Sequence, residues 1–246
     1  MLARRLRSTC SGILAALLAS LALRAAAPDS VQTVDDRTGV LESVHADRDF
    51  ELTADPRAPM WRDAPSVEIA RASDGARLAG PPTEVRSRWT TRHLYLAYVC
   101  PYDTLTLKPD PDLSAETPRL WTWDVAEAFI GADVDRIGVY REFQVSPQGE
   151  WVDLAIDRDN PGDQEGARWN SGVIVKARVD ADARVWYGEM RIPFAAIDAR
   201  PPARGREFRL GLFRLSGTTP RVLHFWRPSH QPSFHVPRAF GILRLN

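Results

Sequence analysis

Cysteine is nearly absent from this chain of 246 residues, which holds two, Cys10 and Cys100. Cys10 falls in an N-terminal segment expected to be removed, so the remaining chain cannot form an internal disulfide. Stability in an oxidising compartment must then come from the core. Cys100 closes the apolar run LYLAYVC, where a buried inert thiol is expected rather than a nucleophile. Lysine is also scarce: Lys108 and Lys176 are the only two, and the other basic residues are arginine. No HExxH, CxxC, GxSxG or glycine-rich phosphate loop occurs, so zinc hydrolysis, nucleophilic catalysis and nucleotide binding lack motif support. The histidines at 45, 93, 224, 230 and 235 are scattered. Only His230 and His235 are close, with no third zinc ligand beside them. Beyond the first 27 residues no sustained helical period appears.

What is present begins with a leader. Arg4, Arg5 and Arg7 precede an apolar run at 13–23, and Ala25, Ala26 and Ala27 follow. This is the layout of a secretory signal peptide, with an uncleaved anchor as the alternative. The run is too short to span a bilayer comfortably. A lipid-attachment cysteine would follow the run, whereas Cys10 precedes it. Residues 1–27 are therefore read as a signal peptide, and the protein as secreted or periplasmic, with no membrane insertion after cleavage. Removing the segment takes 32 basic residues to 28 against 32 acids. A mildly acidic chain without basic clusters gives no nucleic-acid-binding surface.

Residues 28–49 are polar and aperiodic and read as a lead-in or tether. The globular part is expected over 50–246, with short strands separated by turn signals. A first strand is expected at 50–54 and a short one at 67–69. Residues 84–90 alternate and 93–100 are apolar on both faces, giving a hairpin. Residues 103–118, with Pro109, Pro111 and Pro118, form a long loop of the kind that is functional or disordered. It leads into LWTWDVAEAFI at 120–130. A strand over 125–130 puts Glu127 on the same side as Phe129. Further hairpins are expected at 139–145/150–156 and 169–179/183–192, then one helical turn at 193–197, and strands at 207–216, 222–226 and 238–245. The fold class is all-β, a single antiparallel β-sandwich of the immunoglobulin or jelly-roll kind, expected as a monomer.

A charged group on an aromatic-lined sheet face needs a polar partner, either a side chain or a ligand. For Glu127 three readings stand. It could bind a sugar, since Trp121, Trp123, Trp151, Trp169 and Trp226 lie near strand ends or loops and a flat indole covers the C–H face of a pyranose. It could form a salt bridge, with Arg141 as the candidate, inside a structural or interaction protein. Or it could pair with Asp124, Asp153 or Asp157 as a glycosidase acid/base. Asp157, Asp159, Asn160 and Asp163 crowd one loop with hard oxygen donors, a possible structural Ca²⁺ site, although Pro161 and Arg168 break the EF-hand pattern.

Several segments in order resemble the family 9 carbohydrate-binding modules. They are Trp121 followed by Asp124, Glu127 and Phe129; Tyr140-Arg141-Glu142-Phe143 leading to Ser146, Pro147 and Gly149; 186–192 followed by Pro193-Phe194; and Phe234-His235 with Pro237 and Phe240-Gly241 at the end. Trp61-Arg62-Asp63-Ala64 and Leu94-Tyr95-Leu96-Ala97 fit as well. The resemblance covers 50–246. It implies a non-catalytic, DOMON-related β-sandwich that holds sugars, often polysaccharide chain ends, between two tryptophans, with structural calcium in some members. It also implies a role beside glycoside hydrolases in xylan- or cellulose-type catabolism. Carried over, it makes Trp121 the first stacking tryptophan and Glu127 the hydroxyl-binding acid. Trp169 becomes the second tryptophan with Asn170 beside it, Arg141 the basic reader, and Gln231 or His230 the late polar group. Asp157, Asp159 and Asp163 are the metal candidates. A haem-binding relative is disfavoured, because Met60 and Met190 pair with no histidine.

Overall fold

His93–Pro101 (β4) is buried on both faces, which its run of alternating large apolar residues dictates. Leu94, Leu96, Tyr98 and Cys100 point into the main core, while Tyr95 and Ala97 pack with Leu52, Ala58 and Trp61 in a second cluster. Burial pushes the Cys100 thiol up to about 12, as an inert core cysteine requires. The computed structural model describes residues 39–160, 168–217 and 219–246. The signal peptide, the first half of the lead-in and Asp163 lie outside the described residues.

Among the described residues, twelve strands form the fold. Before β4 come β1 (Val40–His45), β2 (Ser66–Ile69) and β3 (Thr83–Trp89). After it come β5 (Val125–Gly131), β6 (Val139–Val145), β7 (Trp151–Asp157), β8 (Ile174–Asp180), β9 (Val185–Pro193), β10 (Glu207–Ser216), β11 (Val222–Phe225) and β12 (Gly241–Leu245). A single helical turn, α1 (Phe194–Ile197), follows β9 where one was expected. Hydrogen bonding runs continuously in the order β7-β6-β5-β10-β12-β1-β3-β4-β9-β8, with β11 attached to β10 and β2 to β3. The architecture is all-β, a sheet that nearly closes on itself. Both halves feed one core: Val85, Leu96, Trp186 and Met190 from one, Ala128, Phe143, Leu212 and Leu243 from the other.

Three expectations need correction. Val40–His45, assigned to the tether, is the strand that joins the two halves, pairing with β12 and with β3. Its inward side chains are Leu41 and the small Ser43, whose hydroxyl accepts from Ser87 at 2.8 Å. One leucine and one serine make a weak alternation, which is why the segment reads as polar. Both of its pairings are parallel, so the fold is not purely antiparallel. Residues 50–54 form no strand; they supply Leu52 and Ala54 to the interior as irregular chain. At the last strand, Gly241 is required by packing: a Cβ there would sit 2.6 Å from the Trp226 ring and from the Gly39 carbonyl.

Candidate functional site

β5 is central, flanked by β6 and β10, and all seven of its residues are buried. Its two-residue period sends Ala126, Ala128 and Ile130 into the main core. Glu127 and Phe129 therefore face the other side. There Phe129 joins Tyr140, Phe213, Phe225, Phe234 and Phe240 in an aromatic cluster. Glu127 stands opposite Gln144 of β6 and Phe213 of β10, and Phe129 stands opposite Glu142. Glu127, Glu142 and Gln144 are thus neighbours on one outer sheet face.

A pocket of ≈ 310 Å³ opens over this patch. Glu127, Glu142 and Gln144 form its polar lining, Leu154, Ile156 and Leu215 its aliphatic side, and Trp121, Phe234 and His235 complete it. Trp121 rides on a 3₁₀ turn, Leu120–Thr122, entered through Arg119 in the left-handed region (φ 59). Leu120 plugs the turn into the protein, leaving Trp121 outward at 37% exposure. Arg221 clamps the turn by donating to the Trp121 and Trp123 carbonyls. The Trp123 ring packs instead against Leu120, Val125 and Val152. Asp124 is a structural group: its Oδ1 accepts from the Gly217 N–H at 2.9 Å, and its own N–H donates to the Thr106 carbonyl at 2.8 Å.

The pocket floor is rich in acceptors. Glu127 and Glu142 are 1% and 2% exposed. Gln144 Nε2 donates to Glu142 Oε1 at 2.7 Å. Glu127 Oε1, Glu142 Oε2 and Gln144 Oε1 are buried with no hydrogen-bond partner among the described residues. Burial drives the Glu127 carboxyl well above its ordinary range, and the neighbouring Glu142 adds to this while Arg221 opposes it. Burial likewise raises Glu142, against the pull of the Gln144 hydrogen bond. His235 Nδ1 lies 2.6 Å from the Tyr140 hydroxyl, and burial, followed by the nearby Arg158, pushes the imidazole pKa down, favouring the neutral ring.

Of the residues expected from sequence, Trp121 and Glu127 meet at this pocket. Arg141 and Trp169 meet elsewhere. Arg141 has the opposite strand phase from Glu142, so it points to the face that carries Phe143. Its guanidinium lies 4.9 Å from the Trp169 ring centroid, and its Nε donates to the Ala196 carbonyl at 3.3 Å. It lines a separate hollow with Asp133, Asp198 and Arg200. Trp169 itself packs edge-on against Phe143. A Glu127–Arg141 salt bridge is therefore not formed; the sheet separates the two. Asn170 Oδ1 accepts from the Gly172 N–H at 2.8 Å, a turn contact. Gln231 is exposed on the loop that carries Phe234 and His235, and its N–H donates to Ser229 Oγ at 3.2 Å. Asp157 accepts from the Asp159 and Asn160 N–H groups, and Arg136 lies 3.4 Å from Asp157 and 3.9 Å from Asp159. Among the described residues no three His, Cys, Asp or Glu side chains group as a metal would need. Sequence reasoning did not pick out Glu142, Gln144, Phe234 or His235 as site residues. For Glu142 and Gln144 the signal was present in their two-residue spacing on β6.

Comparison with known proteins identifies the architecture. A candidate carbohydrate-binding protein from Bacteroides uniformis superposes with a TM-score of 0.62 at 16% identity, covering 84% of this chain and 99% of that one. A family 9 carbohydrate-binding module from Caldicellulosiruptor kristjanssonii, in complexes with cellotriose and with glucose, superposes at 0.58 and 13% identity. Those two alignments cover 84% and 83% of this chain, and 93% and 95% of the module. The fold is family 9-like. No protein-family model matches the chain. A protein of Arthroderma benhamiae named "Extracellular protein" is 25% identical over 134 residues, which is 49% of this chain and 60% of that relative's length. Among the described residues no helix is long and apolar enough to cross a membrane.

Proposed function

We propose that this protein is a secreted, non-catalytic carbohydrate-binding module that acts in polysaccharide catabolism of the xylan or cellulose type. One observation carries the reading. Of eight tryptophans, Trp121 alone is exposed, and it sits at a pocket whose floor offers three buried, unpartnered acceptors. An indole covers the apolar face of a pyranose, and the acceptors take hydrogen bonds from its hydroxyls. Buried acceptors without partners are costly, so a ligand that supplies donors to them gains their hydrogen bonds. The family 9-like fold and the sugar complexes of its neighbours support the same reading.

A glycosidase role is the weaker alternative. Hydrolysis needs two carboxyls flanking the scissile bond. Glu127 and Glu142 lie on adjacent strands at the pocket floor, with neither on an opposing wall. Titration of the protein with glucose, cellobiose and xylo-oligosaccharides, followed by amide chemical shifts, tests the reading. Shifts confined to residues around Trp121 and Glu127 are expected. A spectrum unchanged by every sugar overturns it.

A further inference from the structure

We propose that this pocket prefers a protonated amino sugar, a glucosamine-type unit, over the corresponding neutral sugar. This rests on the carbohydrate-binding reading above and names the ligand class for that same site.

The floor is short of donors. Gln144 Nε2 gives one of its two N–H groups to Glu142 Oε1, which leaves a single donor on the floor against three acceptors without partners, Glu127 Oε1, Glu142 Oε2 and Gln144 Oε1. Among the other lining side chains only the ring nitrogens of Trp121 and His235 have hydrogen-bonding capacity. A hydroxyl donates once and then needs a donor in return. An ammonium donates three times and accepts nothing. Three buried acceptors, two of them carboxyl oxygens, match that valence better than a hydroxyl does.

Charge points the same way. Glu127 and Glu142 share one sheet face in a water-poor site, where burial and mutual repulsion disfavour two charged carboxylates in the absence of a counter-charge. A cation placed between them favours the charged forms and makes charge-assisted hydrogen bonds, which are stronger than neutral ones. Other charged or titratable groups also face the region. Arg221 approaches Glu127 and Asp124, but its guanidinium is held by the Trp121 and Trp123 carbonyls. Arg158 lies beside His235 and Tyr140 at the far side. Tyr98 approaches Glu127 and is fully buried in the main core. None of these forms an ion pair with Glu127 or Glu142 among the described residues. A divalent metal is a poorer match than an ammonium, because the site has only two carboxylates and no third acidic or histidine ligand grouped with them.

The test is calorimetric titration of the protein at pH 6.5 with glucosamine, glucose and N-acetylglucosamine. Glucosamine should bind about tenfold or more tighter than glucose, as charge-assisted contacts predict. N-acetylglucosamine, in which the amine is neutralised, should lose that advantage. Glu142→Gln keeps the side-chain shape and removes a charge, so it should bring the glucosamine and glucose affinities together, with a thermal melt confirming the fold. If Glu142→Gln does not fold, Glu127→Gln is read the same way. Glucose binding as tightly as glucosamine overturns the proposal while leaving carbohydrate binding in place. Failure of all three sugars and of their oligomers overturns both.

Discussion

Trp121→Ala separates binding from folding, and its two effects can be worked from the structure. Trp121 is 37% exposed, so roughly two-thirds of its side chain is covered. A tryptophan buries about 150–250 Å², and at about 25 cal/mol per Å² the covered part accounts for about 3 kcal/mol of stability. That is less than the roughly 5–15 kcal/mol holding a typical domain, so the variant stays folded. Its melting temperature should fall by about 6–12 °C for a chain of this size. The exposed third of the ring, on the order of 60–90 Å², is what a sugar would cover. Losing it removes about 2 kcal/mol of binding, a fall in affinity of about thirtyfold. Calorimetric titration and a thermal melt on the same preparation read both quantities. Trp169→Ala is the control: that ring packs on Phe143 and under Arg141, so it should lower the melting temperature and leave sugar affinity alone. An affinity for Trp121→Ala within about threefold of wild type, beside the expected loss of stability, would refute stacking on this ring.

Two further outcomes follow from groups outside or beneath the pocket. Trp61 Nε1 donates to Glu189 Oε1 at 2.7 Å, with both residues buried, and among the described residues Oε1 has only Thr53 Oγ1, at 3.4 Å, as a further partner. Trp61→Phe should therefore cost about 2–3 kcal/mol in urea unfolding, and a change under about 0.5 kcal/mol would show that the hydrogen bond contributes nothing net. Stability should also be dome-shaped in pH. Glu127 and Glu142 have folded pKa values raised above the ordinary carboxylate range. Their contribution is fully present below that range and is lost as pH rises through the folded values. His224 is pushed down from 6.5 to about 4, by burial first and then by Arg214. Its contribution is present above pH 6.5 and is lost as pH falls toward 4. Melting curves across pH should show both limbs. The double variant Glu127→Gln, Glu142→Gln should flatten only the alkaline one, and an alkaline limb that persists in that variant contradicts the assignment.

The strands were legible wherever a sheet face is strongly apolar. Residues 83–89 alternate buried and half-buried along their whole length, and β4 is apolar on both faces, so pattern alone located them. β1 was illegible for the converse reason. Its place at the junction of the two halves is set by long-range parallel pairing to β3 and β12, and a strand carrying Leu41 and Ser43 inward writes almost no pattern. The site was legible to the same degree. Trp121 and Glu127 lie six residues apart on one continuous segment, so their proximity needed no knowledge of pairing. Arg141 and Glu142 are adjacent in sequence and face opposite sides of the sheet, so only the phase of β6 against β5 decides which reaches the pocket. With Ala128 opposite Phe143 and Glu127 opposite Gln144, the pocket receives Glu142 and Gln144, and Arg141 goes to Trp169. One residue of register thus exchanges a guanidinium for a carboxyl at the floor. A site with Arg141 would donate to a sugar's oxygens; the floor as paired is dominated by acceptors, and that inversion makes a donor-rich, cationic sugar the better complement.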